Sequence, residues 1–146
     1  MTINETYDFL WQPKNIALRI KQLVIVKQEL EACMLPSGIS YEKDKVQTTP
    51  EDQMAKIGAE IYDIEQEIVA LTEERKKAII AIYQAVQSLE VEDEKTLIIG
   101  FFIARQRMRD LAPSISYSRS QGYEIMKRGI RNLSQKIGQI GREDVL

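Results

Sequence analysis

The chain has 146 residues, of which 44% are hydrophobic and 29% are charged, and its formal net charge is −2. This apolar fraction is sufficient for a packed core, and this charged fraction is typical of a soluble protein. The longest apolar run, Leu97 to Ala104, is far shorter than the roughly 20 residues that span a bilayer, which excludes a transmembrane helix. The chain has no histidine and one cysteine, which excludes a disulfide framework and an imidazole or thiolate metal site.

The N-terminal residues 1–11 are expected to be irregular or to form a short helical turn. This arm is predicted to pack through its large apolar side chains, namely Tyr7, Phe9, Leu10 and Trp11. The first long helix is predicted to open at Pro13, because proline is tolerated in the first turn, and to end near Met34. Its apolar stripe consists of Ile16, Ile20, Leu23, Leu30 and Met34, with Lys27 interrupting it. Cys33 lies near the stripe, so we expect it in the core.

A second helix of nearly forty residues, about 60 Å long at 1.5 Å per residue, is predicted after a polar loop over residues 36–48. Thr49 can cap this helix and Pro50 suits its first position, while Glu51 and Asp52 complement the helix dipole. Apolar residues alternate at spacings of three and four along it. They are Met54, Ile57, Ile61, Ile64, Ile68 and Leu71, then Ala78, Ile82, Ala85 and Leu89, with Arg75 in the seam.

A helix with so narrow an apolar seam needs a partner to exclude water from it. The first helix can fold back on it as an antiparallel hairpin or coiled coil, but it covers only half of the length. The rest must pack against the C-terminal residues or against a second copy of the chain. We therefore expect a homodimer through the long helix, and the alternative is an intramolecular three-helix packing.

The C-terminal third has the order of parts of a helix-turn-helix. After a break at Ser88 to Asp93, a third helix is predicted to carry Leu97, Ile98, Phe101 and Phe102 inward. A short helix over Arg107 to Ala112 should end at Pro113, and Ser118 with Gln121 has the form of a capping box that opens a longer helix. The fold class is therefore all-α, with a helical hairpin or coiled-coil domain over 1–90 and a helix-turn-helix DNA-binding domain over 91–146.

Charge is divided unevenly between these two parts. Between Phe101 and Arg142 there are nine basic residues against Asp110 and Glu124, a balance of +7, whereas residues 1–100 carry eleven basic and eighteen acidic residues, a balance of −7. This asymmetry indicates either that the C-terminal part meets an anionic partner or that its helix has a solvated basic face.

The residue types on the exposed side of the last helix suit double-stranded DNA. Arg119 could pair with guanine, Gln121 with adenine, and Glu124 could accept from cytosine. Lys127, Arg128 and Arg131 are placed to neutralise phosphates, and Tyr117 is expected to pack the turn. The candidate DNA-contacting residues are Arg107, Arg109, Arg119, Ser120, Gln121, Tyr123, Glu124, Lys127, Arg128 and Arg131.

The run from Glu94 to Phe102, followed by Met108 to Leu133, resembles the helix-turn-helix of sigma-factor region four. From about residue 12 to 138 the chain is similar to small proteins of phages and integrated elements of Gram-positive bacteria, which include the ArpU-type and RinA-type late transcriptional regulators. The resemblance implies a transcriptional regulator that binds DNA, acts with RNA polymerase and has no enzymatic activity. The family usually has tryptophan at Met108 and glycine at Ser116, and it has larger apolar residues at Gly122 and Gly129.

No feature of the chain points to catalysis, since it contains no nucleophile–base pair and no glycine-rich phosphate loop. We expect no catalytic residue, no bound metal and no cofactor, and we expect the acidic residues to lie on exposed helix faces. The alternative for these acidic residues is a magnesium site made of carboxylates alone. The N-terminus lacks the layout of a signal peptide, so we expect a cytoplasmic protein without a membrane partner. The alternative function is a coiled-coil interaction or adaptor protein whose C-terminal module binds protein rather than DNA.

Overall fold

The computed structural model describes residues 1–34 and 50–145, with side chains described for 1–34 and 51–138. These residues form five α-helices and a π-helical segment and contain no strand, which confirms the all-α class. The helices are α1 (Ile3–Met34), α2 (Pro50–Val86), α3 (Glu92–Ile98), α4 (Met108–Ser114) and α5 (Arg119–Val145), and the π-helical segment (Ile99–Ile103) follows α3. No helix in this part of the chain is long and apolar enough to cross a membrane. The predicted loop over 36–48 and the Thr49 cap lie outside the described residues.

Helix α1 begins much earlier than its proline indicates. The Thr2 hydroxyl accepts a hydrogen bond from the backbone N–H of Glu5 at 3.1 Å, and this cap starts the helix at Ile3. Pro13 lies inside the helix and is buried, and its carbonyl accepts a hydrogen bond from the Arg75 Nε at 3.3 Å. The prediction that the helix opens at Pro13 is therefore wrong, because proline removes one backbone donor without ending this helix.

Helix α2 confirms the prediction of a long helix, with 37 residues from Pro50 and with Glu51 and Asp52 in its first turn. Most residues of the predicted apolar seam are buried or half-buried. Its half-buried members are Ile57, Ile61, Ile64, Ile68, Leu71 and Ala85, and its buried members are Ala78 and Ile82, whereas Met54 is exposed. Leu89 is buried too, but the prediction that it belongs to this helix is wrong, because the helix ends at Val86.

The chain divides by packing into two compact units, and the first to be described is Ala17–Glu74. None of its described side chains is fully buried. Arg19 pairs with Glu67 at 3.0 Å and Lys27 with Glu65 at 3.3 Å, so later residues of α1 pair with earlier residues of α2. Cys33 is exposed, so the prediction of a core cysteine is wrong. It lies between Leu30 and Met34 in sequence, on a different side of the helix from the stripe.

The second unit, Met1–Ile16 with Arg75–Leu146, contains a continuous apolar core. Its largest fully buried apolar side chains are Phe102, Leu10, Ile82, Leu97, Ile98, Met108, Ile130 and Leu133. The N-terminal arm packs through its apolar side chains as predicted, and the structure shows that it packs on this core, where the ring centroids of Trp11 and Phe102 lie 4.6 Å apart. The predicted domain boundary at residue 90 stays a prediction. By packing, Met1–Ile16 belongs to the same compact unit as Arg75–Leu146.

A buried carboxylate joins α3 to α5 inside this unit. Glu94 is 1% exposed, and its two oxygens accept from the Arg128 Nε at 3.0 Å and the Asn132 Nδ2 at 3.1 Å. A Cβ on Gly129 would lie 2.9 Å from the Glu94 Cβ, so the glycine permits this close approach. The expectation that the acidic residues lie on exposed faces is wrong for Glu94, because two donors from α5 compensate its burial.

Candidate nucleic-acid interface

Helix α4 is short and begins at Met108, with Arg107 in extended conformation before it. The Leu111 N–H bonds the Arg107 carbonyl at 2.9 Å and closes the first turn. Pro113 lies inside the helix, which ends at Ser114, so the prediction that the helix ends at Ala112, before Pro113, is wrong by two residues. The proline ring is tolerated there because the backbone N–H that proline lacks would belong only to the last turn of the helix.

The turn after α4 contains a residue in left-handed conformation. Ser116 has a φ of 71°, and the Tyr117 N–H then bonds back to the Ala112 carbonyl at 2.9 Å. The half-buried Tyr117 donates its hydroxyl to Asp93 Oδ2 at 2.6 Å, and this hydrogen bond to a carboxylate raises the pKa of Tyr117 above its ordinary value. Tyr117 thus ties the turn to the first turn of α3, as a residue that packs the turn would do.

The start of α5 is a reciprocal capping box, as predicted. The Gln121 N–H donates to the Ser118 Oγ at 3.2 Å, and the Ser118 N–H donates to the Gln121 Oε1 at 3.0 Å. The cap directs the Gln121 side chain back to the helix terminus and uses one of the two lone pairs of its Oε1. A bidentate contact of Gln121 with adenine would therefore have to form within the orientation that the cap sets.

Helices α4 and α5 approach so closely that Gly122 has no room for a side chain. A Cβ at this position would lie 2.7 Å from both the Ala112 Cβ and the Met108 Sδ. The side of α5 that carries Gly122 also carries Gly129, Ile130 and Leu133, which are buried, and Ile125 and Ile137, which are half-buried. Met126 of the same helix is buried as well.

Seven of the ten candidate residues are exposed, and in the described part of the chain their side chains have neither an ion pair nor a capping role. The exposed side chains among all ten are Arg107, Arg109, Arg119, Ser120, Gln121, Glu124, Lys127, Arg128 and Arg131. Tyr123 is the half-buried one, and its ring centroid lies 6.1 Å from that of Phe101. Arg128 is exposed but forms an ion pair with Glu94, which connects α5 with α3.

Four of the candidate residues meet at a cleft of about 410 Å³, which we call the basic cleft. They are Arg107, Arg109, Arg119 and Tyr123, and the other lining residues are Trp11, Lys14, Phe101, Arg105, Gln106 and Met108. Five of these ten side chains are cationic and none is acidic. Glu124, Lys127, Arg128 and Arg131 do not line this cleft.

Lys14 and Trp11 line this cleft, although no pattern in the sequence marks them as parts of the site. They lie far from α4 and α5 along the chain, and only the aromatic character of the N-terminal arm indicated that it packs on something. Chemically, the cleft and the exposed side of α5 can attract anions and donate hydrogen bonds. Within residues 1–34 and 51–138, no group of three or more His, Cys, Asp or Glu side chains could hold a metal ion.

Comparisons of this chain with protein-family models, with curated proteins and with solved structures find no match.

Proposed function

We propose that the protein is a DNA-binding transcriptional regulator in which α4, the turn and α5 act as a helix-turn-helix similar to that of sigma-factor region four. In this proposal α5 enters the major groove, α4 lies across the backbone, and the protein works together with RNA polymerase. The observation that carries it is the exposed, mainly cationic face of α5 next to a short helix and a tight turn. Of the candidate residues on α5, Glu124 alone is acidic.

Two positions at which the chain departs from the resembling family support the proposal by their geometry. Ser116 lies where that family usually has glycine, and its φ of 71° is a conformation that favours glycine. Met108 lies where tryptophan is usual, and it is 2% exposed, as expected for a large apolar residue in the core. Both environments therefore suit the residue types of the family.

The test is the binding of duplex DNA as a function of salt. Selection of genomic fragments with the purified protein supplies a specific site, and fluorescence anisotropy then compares it with a random duplex. We expect log K to fall linearly with log salt, with a slope of about −0.9 for each phosphate contact. Weak binding at low salt without this dependence would contradict the proposal.

Two variants separate base contacts from phosphate contacts. Arg119→Ala should weaken binding to the specific site by a factor of about 5 to 150, from the roughly 1–3 kcal/mol of a base contact, and should affect the random duplex less. Lys127→Ala should weaken both duplexes alike. Lys56→Ala is the control, since Lys56 is an exposed lysine of α2 outside the interface. Equal losses on both duplexes for both variants would refute this division of roles.

The homodimer is the second part of the proposal, with α1 and α2 forming an antiparallel hairpin. It is supported by the unit Ala17–Glu74, which exposes several large apolar side chains in the part that the structure describes. They are Leu18, Ile25, Val26, Met54, Tyr62 and Val69, with 43 to 60% of their surface accessible. Such surface can be covered by a second copy or by another protein, which also favours the alternative of an interaction or adaptor protein.

Sedimentation velocity over a range of concentrations tests this second part. We expect a monomer–dimer equilibrium that Ile25→Glu shifts to the monomer, because a charge in an apolar interface is costly to bury. A monomer at all concentrations would refute the homodimer. An adaptor protein would instead show no duplex binding in the salt experiment.

A further inference from the structure

We propose that the basic cleft binds the sugar–phosphate backbone of the DNA, with Lys14 and Arg105 as phosphate contacts in addition to the predicted ones. The inference rests on the proposed DNA-binding function and extends the interface to the N-terminal helix α1. Lys14 belongs to α1, while Arg105 lies between the π-helical segment and α4. Neither belongs to the helix pair α4 and α5 that carries the candidate residues.

The charges of the cleft favour an anionic ligand. Its five cationic side chains are Lys14, Arg105, Arg107, Arg109 and Arg119. None of them makes an ion pair with a carboxylate in the described part of the chain. Because like charges that converge on one cleft repel each other, an anion placed between them stabilises all of them at once. The lining offers no carboxylate that would oppose it.

The distribution of these charges favours a polymer over a compact anion. They come from three stretches of the chain, namely α1, the segment Arg105–Arg109 and the start of α5. A single phosphate could contact only some of them, whereas a strand of duplex DNA presents a continuous row of charges, one for about every 3.4 Å of the helix axis. Arg119 connects the cleft with the exposed face of α5, so a backbone seated in the cleft continues toward the proposed base contacts.

Aromatic rings hold two of the cations at the cleft. The Lys14 Nζ lies 4.7 Å from the centroid of the Trp11 ring, and the Arg119 Cζ lies 5.9 Å from that of Tyr123. These cation–π contacts leave the Lys14 ammonium hydrogens free to donate to a phosphate oxygen and the Arg119 guanidinium hydrogens free to donate to a base edge. Each cation also covers one face of its ring, which disfavours stacking of a base on that face.

The backbone before α4 places Arg105 at the rim of the cleft. Arg105 has a φ of 58°, a left-handed conformation that is costly for a residue with a side chain. The Gln106 N–H bonds to the Gly100 carbonyl at 3.0 Å and holds this turn against the π-helical segment. The side chain of Arg105 is exposed there.

Salt-dependent binding of a random duplex tests the inference. The variants are Lys14→Gln, which keeps an amphipathic stem, and Arg105→Asn, which removes the charge with a residue that tolerates left-handed φ. Each should make the slope of log K against log salt less steep by about 0.9, and weaken binding roughly eightfold at about 0.1 M salt. Lys21→Gln is the matched control, since Lys21 is an exposed lysine of the same helix outside the cleft.

The single tryptophan provides a local signal in the same titration. Trp11 lines the cleft, so a bound backbone should shield it, and the quenching of its fluorescence by acrylamide should fall as the duplex saturates the wild-type protein. Wild-type slopes in both cleft variants, with Lys127→Ala still impaired, would overturn the inference and leave the proposed function intact. If the wild-type protein binds no duplex at low salt, both the inference and the proposed function are wrong.

Discussion

The unit Ala17–Glu74 and the unit formed by Met1–Ile16 with Arg75–Leu146 are both helical, but they bury their residues to very different degrees. In Ala17–Glu74 the apolar stripes of the described residues are half-buried at most, and its ion pairs are between exposed or half-buried residues. The other unit has a continuous core, a buried carboxylate and glycines that permit close helix packing. The same long helices, α1 and α2, supply residues to both units.

This difference shows that helix formation and core formation are separate demands on a sequence. A stripe at spacings of three and four suffices to form a helix with one apolar side. Full burial requires side chains from several directions, and in the second unit these come from the N-terminal arm and from α3, α4 and α5. Matched substitutions in the two units can therefore measure the difference directly.

The largest expected effect comes from two isoleucines of the same helix. Ile82 is 0% exposed and belongs to the core, whereas Ile64 is half-buried in the unit Ala17–Glu74. Ile82→Ala should lower the free energy of unfolding by about 2–5 kcal/mol, and Ile64→Ala by about 1 kcal/mol, because its cavity opens to water. Urea denaturation followed by circular dichroism gives both values. Equal losses would show that a partner, such as a second copy, covers Ile64.

Two arginines with the same exposure distinguish the ion pairs of the two units. Arg128 and Arg19 each have 58% of the side chain exposed, and each lies 3.0 Å from its carboxylate, but Glu94 is 1% exposed and Glu67 is 44% exposed. Arg128→Ala should lower the free energy of unfolding by about 1.5–3 kcal/mol, since it removes a charged hydrogen bond from a buried carboxylate. Arg19→Ala should cost about 0.5 kcal/mol or less.

Thermal denaturation at low and high salt measures these costs. The cost of Arg19→Ala should shrink further in high salt, which screens exposed charges more than buried ones. A cost of Arg128→Ala no larger than that of Arg19→Ala would mean that Asn132 alone satisfies Glu94.

Two helical glycines should respond to alanine with opposite signs. A Cβ on Gly58 meets nothing within 4 Å, so Gly58→Ala should stabilise the protein by about 0.5–1 kcal/mol through helix propensity. A Cβ on Gly122 would lie 2.7 Å from the Ala112 Cβ, so α4 and α5 would have to move apart. Gly122→Ala should therefore destabilise the protein, because the overpacking cost of about 1–3 kcal/mol exceeds the gain in helix propensity. Differential scanning calorimetry gives the sign for each variant, and stabilisation by Gly122→Ala would contradict the close packing.

Sequence patterns predicted the local features of the molecule well. The helix over Pro50–Val86 followed from apolar spacing, and both hydrogen bonds of the Ser118–Gln121 cap followed from residue types three positions apart. Both depend on neighbours within a turn or two of helix. The two misplaced helix ends, at Pro13 and Pro113, show that proline weakens a helix locally, while caps and packing decide where it starts and stops.

Features that join distant parts of the chain could not be predicted in this way. Glu94 is bound by residues 34 and 38 positions later, and no periodicity marks an acidic residue as a buried acceptor. Lys14 reaches the basic cleft because the N-terminal arm packs on the core, which its sequence neighbours do not encode. The candidate site could therefore be predicted for α5 and the start of α4, but its part on α1 required the structure.

The smallest expected effect is a pH dependence of stability that comes from Tyr117 in the second unit. The neutral Tyr117 hydroxyl donates to Asp93, and this bond raises its pKa above the ordinary value of 10.0. The stabilisation is thus fully present below the unfolded-state pKa, near pH 10, and is lost as pH rises through the higher folded-state pKa.

We expect Tyr117→Phe to be less stable than the wild type at neutral pH, with a difference that stays constant to about pH 9 and shrinks above pH 10. Tyr83→Phe is the control, because Tyr83 is an exposed tyrosine of the same unit, and the loss of its hydroxyl should leave stability at neutral pH unchanged. Thermal melts of the three proteins across this range measure the difference, in which the titration of other groups cancels. A gap between wild type and Tyr117→Phe that persists unchanged above pH 10 would show that the bond to Asp93 does not stabilise the fold.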